Sequence, residues 1–256
     1  MLRSTKEIIG RLTGYEIRAR DGGIGHCKDL LFDDDHWTVR WVVVDTGGWL
    51  RGRKVVVSPV CLGEPIWSSQ ALPVRLTREE IEKAPPLNEH APVSRHYEIA
   101  LNEHFAIMPY WAGAGTWGAA AYPGLLWQAD RSATEELSSE QIEREKGNLR
   151  SVREVTGYRI VAGDDEVGHV EEFILDDANW TLRYMVVDTK NWLPGKKVLV
   201  SPDWIRDIAW AERRVLVDLT KKAIDNAPAY DPAEPVNRVL ETQLYDYLGR
   251  PYYWRG

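Results

Sequence analysis

Apolar residues along this chain fall in short β-branched and aromatic runs separated by turn residues, the pattern of strands rather than of long helices. In the first hundred residues the predicted strands are Tyr15–Arg20, Ile24–Asp33, Thr38–Thr46, Lys54–Ser58, Ile66–Ser68 and Pro73–Leu76. The turns between them carry their own chemistry. Arg-Asp-Gly-Gly at 20–23 supplies positions of positive φ, Asp-Asp-Asp at 33–35 supplies side chains that bond their own backbone, and Ser-Pro at 58–59 stops a strand. The third strand, VRWVVVDT, is apolar almost without alternation, which predicts burial of both its faces by barrel closure or by docking of a neighbouring copy. Helical patterning follows the last strand. Thr77 with Glu80 forms the sequence of a capping box for a short helix ending near Pro85, and Ser94–Phe105 reads as a second helix packed across the sheet.

The pattern then recurs. Sliding the chain against itself by 143 residues aligns Gly14–Trp111 with Gly157–Trp254 without a gap, and about 38 of the 98 pairs are identical. A period of this length is that of a whole domain, so one fold is expected twice. The second copy keeps Thr220 but has Ala223 at the reciprocal capping position, predicting a weaker cap; Asn237–Leu248 is the second helix, and aromatic tails follow at 108–111 and 251–254. The predicted organisation is a first copy over 1–105, a linker over 106–151 and a second copy over 152–256. In the linker, 105–129 carries no charge, but its prolines and glycines would leave backbone groups unsatisfied in lipid. An irregular aromatic loop lying on a barrel or a partner fits better. The polar stretch 132–151 reads as a short helix with Thr134 as its cap and Gly147 as its stop.

The shared string, seen in the second copy as VGHV, then DD, WTLRYMVVDT and GKKV, resembles the PRC-barrel family, the barrel type of the photosynthetic reaction-centre H subunit and of the C-terminal domain of the ribosome maturation factor RimM. The resemblance covers 14–85 and 157–228. It implies a mainly β protein, two tandem six-stranded PRC-type β-barrels with short flanking helices, which contacts other macromolecules and shares no catalytic residues with its relatives. The chain is most similar to free-standing bacterial members. No transmembrane helix precedes the barrel and no partner domain like that of the ribosome factor is expected. Duplication implies that one chain does the work of a homodimer of single barrels, in a pseudo-twofold packing.

Composition narrows the function. With 44% hydrophobic and 28% charged residues the chain reads as an ordinary soluble globular protein, and its net charge of −7 opposes direct nucleic-acid contact. Cys27 and Cys61 have Val170 and Trp204 as counterparts, so packing is the expected role rather than a disulfide or a metal site. There is no signal-length apolar run before Gly14 and no run of eighteen apolar residues, so the expected compartment is the cytoplasm.

No catalytic, cofactor or metal residues are assigned. His26 and His169 are equivalent but have no recurring second ligand, and His96 and His104 stand about 12 Å apart on one helix, too far to share an ion. Asp33–Asp35 and Asp176–Asp177 lack the ligand spacing of a calcium loop and read as solvated turns. Ser58 and Ser201 are followed by proline and have no nucleophile elbow around them. Cys27 lacks an electropositive setting apart from Lys28. Arg40 with Asp45, and Arg183 with Asp188, are expected to pair with neighbours on the barrel rim.

The candidate interaction residues are Trp49, Arg51, Arg53 and Lys54 in the loop WLRGRK, with Trp192, Lys196 and Lys197 in its counterpart WLPGKK. There a tryptophan beside cations suits a phosphate, a carboxylate or an acidic surface. Trp111, Trp117, Trp127 and Trp254 are the expected aromatic anchors for a protein partner. These features point to a non-catalytic cytoplasmic protein-binding or assembly module. The alternatives are a ribosome or RNA-processing accessory factor by analogy with RimM, and a small-ligand-binding protein or enzyme with a pocket between the copies.

Overall fold

A computed structural model describes residues 1–10, 13–87, 93–127, 148–163, 165–189 and 195–255. The protein is mainly β. Its strands are β1 (Leu2–Ser4), β2 (Glu16–Ala19), β3 (Gly22–Asp33), β4 (Thr38–Asp45), β5 (Lys54–Val57), β6 (Ala71–Pro73), β7 (Leu149–Ser151), β8 (Arg159–Ala162), β9 (Asp165–Asp176), β10 (Thr181–Asp188), β11 (Lys197–Val200), β12 (Ile205–Ala209) and β13 (Arg214–Val217). The chain divides into two compact units. One comprises 6–151 and 178–181; the other comprises 1–5, 152–177 and 182–256. The described parts of 106–151 therefore group with the first unit rather than standing apart as a linker.

In the first unit the twelve-residue β3 is the spine. β4 pairs antiparallel along one edge, from His26↔Asp45 to Asp33↔Thr38. The other edge is shared: β2 covers its start, with Glu16 opposite His26, and β7 covers its end, with Leu149 opposite Asp33. β5 extends the sheet beyond β4, and β6 runs parallel to β2. The β3–β4 crossing explains one repeated glycine. At Gly25 φ is +140°, and a Cβ there would lie 2.0 Å from the Asp45 carbonyl oxygen; Gly168 stands in the same relation to Asp188. All but the last residue of β4 is buried, as its uninterrupted apolar run predicts.

The second unit repeats this plan. β8 pairs β9 antiparallel, β10 carries β11, and β13 runs parallel to β8. β1 takes the place on β9 that β7 takes on β3, with Leu2 opposite Asp176. One element differs between the copies. β12 and β13 form a hairpin, whereas the expected strand Ile66–Ser68 is instead a single 3-10 turn, Trp67–Ser69, with isolated bridges at Leu62↔Val74 and Ile66↔Ala71. Pro65 stands where the second copy has Ile208, and Gly63 where it has Arg206. The lost amide donor and the unrestrained backbone account for the missing strand. The neighbouring strand begins two residues before the expected Pro73, at Ala71.

Both copies end on capped helices. Arg78–Glu82 has the full capping box of Thr77 and Glu80, and Lys221–Asn226 keeps only the Thr220 half. Arg95–Phe105 starts at Ser94, which accepts from the Tyr97 amide, and Arg238–Leu248 starts at Asn237. The uncharged segment after Phe105 begins with Ala106 in a left-handed conformation and forms isolated bridges at Gly115↔Gly118 and Trp117↔Ala120. It ends in a four-residue helix, Pro123–Leu126, packed on the turn Pro59–Cys61. The predicted helix with Thr134 and Gly147 lies outside the described residues. Among the described residues no helix is long and apolar enough to cross a membrane.

Candidate functional site

Two arginine–aspartate pairs sit at equivalent places in the two units; each arginine pairs with an aspartate of the neighbouring strand, as expected, but the Arg40 pair is buried rather than on a rim. Arg40 donates through Nε to Asp33 Oδ2 at 2.7 Å across the β3–β4 hairpin, and both side chains are 1% exposed. Its guanidinium also donates to the Thr116 carbonyl at 2.6 Å and stands 4.0 Å from the Tyr110 ring and 4.8 Å from the Trp117 ring. The second copy repeats the pair as Arg183 with Asp176 at 3.2 Å, half-exposed, with the Tyr253 ring 4.4 Å away. The solvated-turn reading thus fails for Asp33. Its Oδ1 accepts the His36 amide at 2.6 Å and faces the His36 ring at 3.1 Å, so the carboxylate is held from three directions.

A buried glutamate lies beside each pair. Glu98 accepts from Trp41 Nε1, Tyr110 hydroxyl and Arg95, each at 3.0 Å. Glu241 accepts from the Tyr184 and Tyr253 hydroxyls at 2.8 Å and pairs with Arg238 at 3.1 Å. Arginine, glutamate and the second tyrosine are identical in the two copies, and Trp41 exchanges for Tyr184 with the donor retained. Burial pushes the Glu98 carboxyl above its ordinary value against the pull of Arg95, and burial together with the Glu98 charge pushes the Tyr110 hydroxyl up. Burial also lowers Arg40, opposed by Asp33. Sequence reasoning passed over this set, although Arg-x-x-Glu at 95–98 and 238–241 with a tyrosine twelve residues on was visible in the alignment.

In the first unit these groups wall an open cleft of about 510 Å³, lined by Asp33, Asp35, His36, Arg95, Tyr110 and Trp111, by residues 113–115 and by Asn148. Its charges cancel locally. Arg95 is held by Glu98 and covered by the Trp111 ring at 4.0 Å, Asp33 is held by Arg40, and Asp35 accepts from Asn148 at 2.6 Å. What the walls offer a ligand is an aromatic face, glycine backbone and the exposed His36 ring.

The residues singled out by sequence separate into different places. Arg53 donates to the Glu82 and Ala84 carbonyls and Lys196 to the Asp225 carbonyl, so each cation finishes the end of the following helix instead of waiting for an anion. Lys197 pairs with Glu171, and Lys54 is half-buried. Trp49 is half-buried under Arg78 at 4.7 Å, and Arg51 is exposed at φ +53°. Trp192 lies outside the described residues. Trp117 is buried, donating to the Asn179 carbonyl at 2.7 Å, and so is an internal anchor rather than a docking one. Trp127 is half-buried beside Arg75, and Trp254 packs on Arg238 at 4.1 Å and on Tyr245. Ser58 and Ser201 cap the 3-10 turns that follow them. Cys27 is buried, and that burial raises its thiol far above the ordinary value.

The geometry defines a mainly β protein of two sheet units, each fastened by an internal arginine–carboxylate–tyrosine set. The PRC-barrel domain family matches residues 147–224, that is, most of the sheet of the second copy. No curated protein matches the chain.

Proposed function

We propose that this chain is a tandem pair of PRC-type barrels serving as a non-catalytic, cytoplasmic protein-binding or assembly module. The observation that carries this reading is the surface of the uncharged segment after Phe105: Tyr122 is 50% and Leu125 57% exposed, while Pro123 and Leu126 beside them are buried. A helix that anchors one face and shows two large apolar side chains on the other, with no charge in the surrounding stretch, has the character of an interface core. The match of residues 147–224 to the PRC-barrel domain supports an interaction role. The repeated polar groups are engaged with one another, which supports recognition over chemistry.

The test is in-cell photo-crosslinking from position 122, comparing the native chain with Leu125→Asp. A discrete crosslinked protein that disappears in the variant supports the reading. Identical crosslinks from both chains, or turnover of a metabolite by the purified protein, overturns it.

A further inference from the structure

The strands that complete the two sheets share one sequence, Leu-Arg-Ser, at 2–4 and 149–151. Each runs along the end of a spine strand: Leu2–Ser4 along Ile174–Asp176 of β9, and Leu149–Ser151 along Leu31–Asp33 of β3. Equivalent acidic residues read both. Arg3 donates to Asp177 at 3.1 Å and Arg150 to Asp34 at 2.9 Å; Ser4 bonds Glu172 and Ser151 bonds Asp29. Asp34 and Asp177 are equivalent positions, as are Asp29 and Glu172. The two slots therefore recognise the same arginine and serine in the same way.

Each strand is three residues long with every residue only half-buried, and the first is continued by the buried Thr5, whose hydroxyl donates to the Phe173 carbonyl and accepts from the Phe173 amide, so the docked element is held mainly by polar contacts that the same slot of a second copy also offers. We propose that the Leu2–Ser4 strand is an exchangeable docking element, by which one copy of this chain seats that strand on β9 of a second copy. Within one chain the tethered strand wins through its high effective concentration, and a second copy competes as protein concentration rises. This inference is independent of the Tyr122 and Leu125 surface.

Leu2 and Asp176 are opposed in register, close enough for a disulfide once both are cysteine. Two full-length chains, one carrying Leu2→Cys and the other Asp176→Cys with a different tag, are mixed at high concentration under mild oxidation. The expected product is a covalent heterodimer, whose yield falls several-fold when Arg3→Asp is added to the donor and returns when Asp177→Arg is added to the acceptor. The control is one chain carrying both cysteines, which should close its bond internally. Closure in the control with no heterodimer in the mixture overturns exchange. Failure of both overturns the seating of the strand itself, and a heterodimer indifferent to Arg3→Asp overturns recognition through the acidic pair.

Discussion

Replacing Asp33 by alanine leaves Arg40 as a cation 1% exposed with its carboxylate gone. Removing one partner of a buried ion pair costs about 3–5 kcal/mol, because the remaining charge stays desolvated. The Thr116 carbonyl and the Tyr110 and Trp117 rings retain part of the support, which places the expected loss near the lower figure, about 3 kcal/mol. The equivalent change, Asp176→Ala, releases Arg183 at 23% side-chain exposure from a carboxylate at 19%. Water reaches that pair, so about 1 kcal/mol is expected there. Urea unfolding monitored by tryptophan fluorescence measures both, with hydrogen exchange assigning each loss to its own unit. The difference between two substitutions at equivalent positions is the discriminating quantity, since the lost aspartate is chemically the same. A third variant, Asp33→Leu with Arg40→Met, removes both charges and should recover most of the stability. Equal losses at the two sites, or a double variant no better than Asp33→Ala, would falsify the claim that desolvation of Arg40 sets the cost.

Burial raises the Glu98 carboxyl in the folded state above its ordinary value of 4.5, so the native form binds that proton more readily than the unfolded chain. Its contribution to stability is therefore present at low pH and is lost as pH rises through the folded-state value; Glu98→Gln should flatten this part of the pH–stability curve, and an unchanged slope in the variant refutes the assignment. Gly25→Ala places a Cβ 2.0 Å from a backbone carbonyl oxygen at φ +140°, whereas Gly48 has nothing within 4 Å. Circular dichroism melts should show a loss of more than about 2 kcal/mol for the first and under about 0.5 kcal/mol for Gly48→Ala.

How far the fold could be read from the sequence divides along a physical line. Strand pattern, capping residues and the repeat are local or gapless signals, and β3, β4, β5 and the helices Arg95–Phe105 and Arg238–Leu248 fall within a residue or two of their predicted bounds. Where a neighbour decides the outcome, the sequence pattern misleads. Arg40 and Arg183 face Asp33 and Asp176, seven residues back across a hairpin, because strand register sets their partners; Asp45 and Asp188 were nearer in sequence but lie on the same strand. Glu98, on the predicted helix Ser94–Phe105, is buried because Trp41 and Tyr110, 57 and 12 residues away, bring donors to it, which no local pattern announces. The Leu-Arg-Ser strands escaped the alignment for a simpler reason. Leu2 and Leu149 are 147 residues apart rather than 143, so the first copy holds four extra residues before Gly14 and a gapless comparison stops there. Those extra residues fall directly after the helix Thr5–Ile9, between a strand that belongs to the second unit and a β2 that belongs to the first.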